Sequence, residues 1–161
     1  MRMPERYQVI IFDWDGTIVD SKGKIVDCLC NAAIRLGLSL DKDNAKDIIG
    51  LALPVAVKEL FPDLSDHEVD NFISAYKENF FAYPKESEIF AGVVDLLNWI
   101  GGYPEVFMAV ATGKSRAGLD RELEQYDLKK YFHITRCADE TTSKPHPQML
   151  NEILDYTAVD K

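Results

Sequence analysis

The chain has 161 residues, 47% of them hydrophobic and 28% charged, which is typical of a globular domain rather than a disordered segment. The net charge of −9 argues against partners such as nucleic acid or an anionic membrane surface, because both attract a basic face. No apolar run reaches the roughly 18 residues of a membrane-spanning helix. The odd count of 3 cysteines disfavours a secreted disulfide scaffold, so we expect a cytoplasmic protein and leave its oligomeric state open.

Three short apolar runs predict strands that are buried on both faces, as in a parallel sheet. They cover residues 9–12, 106–111 and, more weakly, 131–137. Helical patterns follow at 89–100, after Ser115 and after Pro147. Strand and helix alternate here, and this alternation predicts an α/β fold with right-handed crossovers.

The segment 21–86 breaks the alternation, because it carries about four successive helical patterns and no strand among them. Its last helix is preceded by Ser65-Asp66-His67-Glu68, which matches a capping box. We expect a helical subdomain at 21–86, inserted into a core made of residues 1–20 and 87–161.

Each apolar run is followed by polar residues that could act in catalysis or in ligand binding. Asp13 and Asp15 follow the first run, Thr112 the second and Lys144 the third. In an open parallel sheet, ligands bind beyond the carboxyl ends of the strands, so these four side chains are expected to meet at one edge. Each feature alone is also compatible with an ordinary turn, cap or surface loop, but their order and placement together favour a site.

The residue types at that edge suit phosphate chemistry. Two carboxylates as close as Asp13 and Asp15 repel each other, so either one has a raised pKa or both share a cation such as Mg²⁺. One carboxylate can attack phosphorus, and the other can protonate the leaving group and later activate water. Thr112 offers a hydroxyl and Lys144 a positive charge.

Neighbouring residues add candidate phosphate contacts. Gly16 permits a turn that brings the backbone amides of Gly16 and Thr17 near an anion. Gly113 and Lys114 open a helix, where free N–H groups favour negative charge. The cation Lys114 opposes the helix dipole, an arrangement that becomes favourable beside a phosphate.

Two other features have ordinary structural interpretations. Cys28 and Cys30 lie two positions apart in a predicted helix, so their side chains diverge, and we interpret them as buried thiols rather than zinc ligands. Trp14 lies between the two aspartates, and we interpret its indole as a packing group directed away from them.

The motifs around these residues are similar to those of the haloacid dehalogenase-like superfamily, in its phosphatase branch. Phe12-Asp13-Trp14-Asp15-Gly16-Thr17 resembles its first motif, Val110-Ala111-Thr112-Gly113-Lys114 its second and Lys144-Pro145-His146-Pro147 its third. The continuation Ile18-Val19-Asp20-Ser21 resembles phosphoglycolate phosphatase-like members. The resemblance implies a parallel, Rossmann-like three-layer core with an inserted α-helical cap.

The resemblance also implies a role for each residue of the motifs. Asp13 is the nucleophile and a Mg²⁺ ligand, and Asp15 is the general acid and base whose backbone carbonyl also binds the metal. Thr112 holds the transferring phosphoryl group, and Lys144 neutralises the charge. Gly50 and its neighbours in the cap are candidate specificity residues.

One family feature is missing from the sequence. The fourth motif, an acidic pair after a further strand, has no counterpart, because Asp139 and Glu140 precede Lys144 and no apolar strand precedes Asp155. We expect a core truncated at its C-terminus, that is, a fragment.

The resulting expectation is a Mg²⁺-dependent phosphomonoester hydrolase acting on a small phosphorylated metabolite through an aspartyl-phosphate. A phosphotransferase of the β-phosphoglucomutase type and a non-catalytic phosphate-binding protein remain as alternatives. A receiver-type phosphoacceptor domain is disfavoured by the long helical insertion.

Overall fold

The computed structural model describes residues 7–159. Its elements are β1 (Val9–Phe12), β2 (Val19–Asp20), α1 (Lys22–Arg35), α2 (Lys42–Asp47), α3 (Leu53–Leu60), α4 (Asp66–Phe81), β3 (Glu88–Ile89), α5 (Val93–Gly101), β4 (Phe107–Ala111), α6 (Arg116–Gln125), a 3-10 helix (Lys129–Tyr131), β5 (Ile134–Arg136) and α7 (Gln148–Thr157). None of these helices is both long and apolar enough to cross a membrane.

The central sheet is parallel and has the strand order β1-β4-β5. Val9 is paired with Phe107 and Ala109 with Ile134, so the three strands end at the same edge. This confirms the three predicted strands, of which the third is shorter than its apolar run. Burial on both faces, as predicted, holds for most of β4, whereas β1 and the end of β5 are half-buried. Residues 129–131 instead form the 3-10 helix that leads into β5.

Helices cover both faces of this sheet, because alternate side chains of each strand point to opposite faces. Ile10 and Phe12 pack with buried residues of α5 and α6, including Leu97 and Leu119. The neighbouring residues of β1 pack on the other face, against Met149 and Ile153 of α7. The three-layer α/β fold expected from the sequence is therefore confirmed.

The helices α1–α4 form a second hydrophobic cluster. Leu29, Val57 and Phe72 are fully buried in it and come from α1, α3 and α4. Helix α4 begins with the predicted capping box, in which Ser65 Oγ accepts from the backbone N–H of Glu68 and the Glu68 carboxylate accepts from the Ser65 N–H. The division of the chain at 21 and 86 into core and cap stays a prediction.

A two-stranded antiparallel ribbon flanks the helical segment and was missed by the sequence analysis. Val19 is paired with Ile89, and Asp20 with Glu88. As a consequence, the helix predicted from residue 89 begins only at Val93, after Gly92 with a left-handed φ of 83°. Two-residue strands carry no periodicity, so their pairing depends on the tertiary fold.

Candidate active site

The turn after β1 sets the direction of both aspartates. The Trp14 carbonyl accepts hydrogen bonds from the N–H groups of Thr17, Ile18 and Val19, which closes the turn. Gly16 has a φ of 79°, and a Cβ at this position would lie 2.1 Å from Lys22 Cε. The turn therefore requires glycine for its backbone conformation, whereas the exposed Lys22 side chain could move away from a Cβ.

Asp13 is held by Lys144, from a loop 131 positions later in the chain. Lys144 Nζ donates to Asp13 Oδ1 at 2.9 Å, and both side chains are about one-third exposed. The second carboxylate oxygen of Asp13 accepts no hydrogen bond from residues 7–159. The first predicted pair of remote residues is thus in direct contact.

Asp15 has a different set of partners. Its Oδ1 accepts from Ser21 Oγ at 2.6 Å and lies 3.2 Å from Lys114 Nζ. Each of the two neighbouring carboxylates therefore has its own lysine in this structure, Lys144 for Asp13 and Lys114 for Asp15. Two separate ion pairs offset the repulsion that the sequence spacing implied.

Lys114 is buried between Asp15 and Glu122, with Nζ at 3.2 Å from an oxygen of each. Burial acts to lower its pKa, but the charges and hydrogen bonds of the two carboxylates outweigh this, so the pKa of Lys114 is raised. In this structure Lys114 is thus held by two carboxylates, and its predicted contact with phosphate stays a prediction.

Glu122 is a site residue that sequence reasoning missed. It is 7% exposed and accepts from the indole Nε1 of Trp14 at 2.6 Å. Trp14 itself is fully buried in the core, in agreement with its interpretation as a packing group. In the sequence, a carboxylate beside Leu119 and Leu123 on the apolar stripe of α6 marks a buried charge, but its partners Trp14 and Lys114 become apparent only in the structure.

Thr112 lies at the end of β4, nearly fully buried. Its Oγ1 accepts from the Lys114 backbone N–H at 3.1 Å, and its own N–H donates to the Arg136 carbonyl. Thr112 and both aspartates line the same cavity, so three of the four predicted site residues converge there. The fourth, Lys144, reaches it by binding Asp13.

Gly113 allows the helical segment to approach the core closely. A Cβ at Gly113 would lie 2.3 Å from the Gly50 carbonyl oxygen and 2.6 Å from that of Leu51. The Ala52 N–H next to them donates to Ser143 Oγ at 3.0 Å. The candidate specificity residue Gly50 therefore lies against the second motif.

The remaining predicted phosphate contacts are placed differently. The N–H of Gly16 donates to Val19 and that of Thr17 to Trp14, and both residues lie outside the cavity lining. In this conformation their amides are therefore occupied within the turn. Their role towards phosphate stays a prediction.

The cavity between the sheet edge and helices α1, α3 and α4 has a volume of about 560 Å³. Four cations line it. Lys114 is paired with Asp15 and Glu122, whereas Lys24, Lys77 and Arg121 form no ion pair with a carboxylate of residues 7–159. This unpaired positive charge lies in a protein whose net charge is −9. The lining also holds the five carboxylates Asp13, Asp15, Glu86, Glu122 and Asp139, so the unpaired cations offer separate contacts to an anion rather than a net positive cavity.

The donor set at the sheet edge suits a hard cation. Mg²⁺ prefers oxygen ligands, retains several waters and uses one or two carboxylates together with substrate phosphate. Asp13, with one unbonded carboxylate oxygen, and Asp15 supply such donors. Within residues 7–159 there is no group of three or more His, Cys, Asp or Glu placed to hold a metal.

Comparison with known proteins decides the family. Residues 10–161 match the model of the haloacid dehalogenase-like hydrolases. The chain belongs to this family. The fold and the four separate motif residues on one sheet edge agree with that assignment.

The haloacid dehalogenase-like relatives include named phosphatases. A phosphoglycolate phosphatase of Agrobacterium fabrum is 28% identical over 138 residues, 80% of this chain and 58% of the relative. A Dickeya dadantii protein named "Probable phosphatase IndB" is 32% identical over 147 residues, 88% of this chain and 64% of the relative. The chain thus spans only 58% to 64% of the length of these curated relatives.

Solved structures show the same haloacid dehalogenase-like fold. A hydrolase from Pseudomonas syringae superposes with a TM-score of 0.85 at 18% identity and covers 96% of this chain and 72% of its own. A haloacid dehalogenase-like hydrolase from Streptococcus pneumoniae gives 0.74 at 20% identity, with 95% and 71% covered. At these identities the likeness concerns the fold.

Proposed function

We propose that the protein is a Mg²⁺-dependent phosphomonoester hydrolase that uses Asp13 as its nucleophile. The observation that carries this proposal is the 2.9 Å contact between Asp13 and Lys144 at a cavity that Asp15 and Thr112 also line. The phosphatase names of the relatives support it. We assign residues 21–86 as the cap that covers this site.

In the first step, the unbonded oxygen of Asp13 attacks phosphorus and the bond from phosphorus to the ester oxygen breaks. Lys144 on the other oxygen orients the carboxylate and balances its charge. Asp15 enters this step protonated on the oxygen that is bound neither to Ser21 nor to Lys114, gives that proton to the departing alkoxide and ends the step as the carboxylate paired with Lys114. The products are an alcohol and a phosphorylated Asp13.

In the second step, water attacks the phosphorus of the phospho-aspartate, and Asp15 accepts its proton. This releases inorganic phosphate and regenerates the Asp13 carboxylate. Thr112 offers its hydroxyl to a phosphoryl oxygen. A Mg²⁺ ion would be held by the Asp13 carboxylate and the Asp15 backbone carbonyl, and it would supply positive charge to the phosphate oxygens.

The unpaired cations of the cavity support an anionic substrate. Lys24, Lys77 and Arg121 offer positive contacts to a phosphate ester in a cavity whose lining also holds carboxylates. The reaction partner is therefore a small phosphorylated metabolite.

The test is hydrolysis of p-nitrophenyl phosphate by protein expressed from the complete reading frame, with added Mg²⁺ or with EDTA. We expect Mg²⁺-dependent release of phosphate and a loss of at least about a thousandfold in kcat for Asp13→Asn. Asp155→Asn on the exposed side of α7 is the matched control and should retain activity. Full activity of Asp13→Asn would overturn the nucleophile assignment, and transfer to an added sugar instead of water would favour the phosphotransferase.

A further inference from the structure

We propose that the cavity binds phosphate monoesters whose alcohol carries a bulky apolar group, which packs against Tyr76 and Phe80 of α4. This inference rests on the proposed function and specifies its substrate class. It differs from the two-carbon acid named in the phosphoglycolate phosphatase relatives.

The volume of the cavity supports a substrate with a bulky alcohol group. Pockets that enclose drug-sized ligands have volumes of roughly 300 to 1,000 Å³, and this cavity, at about 560 Å³, lies in that range. A phosphoryl group between Asp13 and Thr112 would occupy only the end at the sheet edge. Most of the volume is thus left for the alcohol part of the substrate.

The wall of the cavity that lies away from the sheet edge is apolar, which supports the same substrate class. The helices α1, α3 and α4 line it with the aliphatic side chains Ile25, Leu29, Leu53, Ala56 and Ile73. Ile25, Leu29 and Ala56 are already buried among the helices, so the surface open to a ligand comes from the half-buried Leu53 and Ile73, and a short acidic alcohol would leave that surface in contact with water. An apolar group would remove it from water, and each buried methylene favours binding by about fourfold.

Tyr76 and Phe80 form an aromatic wall between this apolar region and the end of the cavity that the two aspartates line. The rings of Tyr76 and Phe80 lie 5.8 Å apart, inclined by 32°. Lys24 Nζ lies 4.0 Å and Lys114 Nζ 5.2 Å from the centroid of Phe80. Because Lys114 also binds Asp15, an alcohol group that extends from the phosphoryl position passes beside the Phe80 ring.

The Tyr76 hydroxyl adds a polar group to this wall. Tyr76 lines the cavity, and its hydroxyl forms no hydrogen bond with residues 7–159. Burial, followed by the negative charge of Asp15, raises the pKa of Tyr76, so the phenol remains protonated. It is available as a donor to an oxygen on the alcohol part of the substrate.

The test compares primary alkyl phosphates, so that the leaving groups are chemically matched. Protein from the complete reading frame is assayed with ethyl, butyl, hexyl and 2-phenylethyl phosphate and with 2-phosphoglycolate. We expect kcat/KM to rise by up to about fourfold per methylene and to be highest for hexyl or 2-phenylethyl phosphate. Equal or higher values for ethyl phosphate or phosphoglycolate would overturn the inference.

Substitutions of the cavity wall test whether the wall causes the preference for apolar substrates. Phe80→Ala should lower the ratio of kcat/KM for 2-phenylethyl over ethyl phosphate at least about tenfold, since a buried aromatic contact is lost. Ile73→Trp, which fills the far end, should lower the same ratio. Leu150→Ala, at an exposed position on α7, is the control and should leave the ratio unchanged. Unchanged ratios in both wall variants would contradict the assignment.

Calorimetry with Asp13→Asn separates this inference from the proposed function. Tighter binding of hexyl than of ethyl phosphate is expected whether or not the native protein turns them over. Binding preference without hydrolysis by the native protein would refute the proposed function and retain the substrate class. Hydrolysis without any such preference would refute the substrate class alone.

Discussion

Ala52 donates its backbone N–H to the hydroxyl of Ser143 at 3.0 Å, which joins the loop before α3 to the residue that precedes Lys144. The two residues are 91 positions apart. Ala52 is 7% exposed, so its N–H depends on this acceptor. The loop that carries the partner of Asp13 therefore also fixes the helical segment above the site.

Replacing Ser143 by alanine should weaken this junction. The buried N–H of Ala52 would lose its acceptor, which costs about 1 to 3 kcal/mol of unfolding free energy. Urea unfolding of the variant measures this loss. Ser74→Ala is the control, because the Ser74 hydroxyl is exposed and bonds only within its own helix, to the Asp70 carbonyl. Equal effects of the two substitutions would show that the junction contributes nothing specific.

Substituting Gly113 should separate the helical segment from the second motif. An alanine Cβ would meet the Gly50 carbonyl at 2.3 Å, and backbone atoms on both sides leave little room to adjust. We expect a destabilisation of about 1 to 3 kcal/mol, together with a raised KM. Gly23→Ala is the matched control. Nothing lies within 4 Å of a Cβ at this position, and alanine favours a helix over glycine by about 0.5 to 1 kcal/mol. This substitution should therefore raise the unfolding free energy. If Gly113→Ala changed neither the unfolding free energy nor KM, the close approach of Gly113 to the Gly50 carbonyl would be contradicted.

The buried network of Trp14, Glu122 and Lys114 predicts a pH-dependent effect of Glu122→Gln. The amide oxygen can still accept from Trp14, but Lys114 loses one of its two carboxylates, at a cost of about 1.5 to 3 kcal/mol near neutral pH. The folded-state pKa of Lys114 is raised, so the stability it contributes is complete below its unfolded pKa near 10.5 and is lost as the pH rises through the folded value.

The measurement is urea unfolding of the native protein and of Glu122→Gln across this range. The difference in unfolding free energy should be largest at neutral pH. It should narrow above pH 10.5, as Lys114 of the unfolded chain loses its charge, and should vanish above the raised folded-state pKa. Glu124→Gln, an exposed neighbour on α6, should show no such difference. If the difference in unfolding free energy between the native protein and Glu122→Gln did not depend on pH, the charge of Lys114 would not be involved.

The cysteines should be unreactive in the folded protein. Burial raises the pKa of Cys28 to about 11 and that of Cys137 to about 12, so little thiolate is present at pH 8. Reaction with Ellman's reagent should be at least about a hundredfold slower at these thiols than after denaturation, when all 3 free cysteines react. Rapid modification of Cys28 in the native protein would contradict its burial, and protection that is lost on chelation would favour zinc.

The strands and the convergence of the motifs could be read from the sequence for a physical reason. A strand covered by helices on both faces is apolar throughout, so residues 9–12, which are half-buried, and residues 106–111, which are mostly buried, are recognisable locally. Parallel pairing then brings the ends of these strands to one edge, because all crossovers return the chain in the same direction. Asp13 and Thr112 are therefore placed together without knowledge of any side-chain contact.

Other parts of the site could not be read this way. Glu122 occupies a position on α6 that periodicity assigns to the core, and only the positions of Trp14 and Lys114 make a carboxylate stable there. The ribbon that pairs Val19 with Ile89 joins residues 70 positions apart and is too short to carry a pattern. Such contacts depend on distances that are set by the packing of other elements.

The sequence by itself determined the fold class and the family, and it selected Asp13, Asp15, Thr112 and Lys144 as the proposed site, since local hydrophobicity and the order of motifs are enough for this. The tertiary structure alone decided which cation binds which carboxylate, because charge pairing depends on side-chain positions contributed by separate elements. It also decided the size and apolar character of the cavity, since helices α1, α3 and α4 enclose a volume that no single one of them defines.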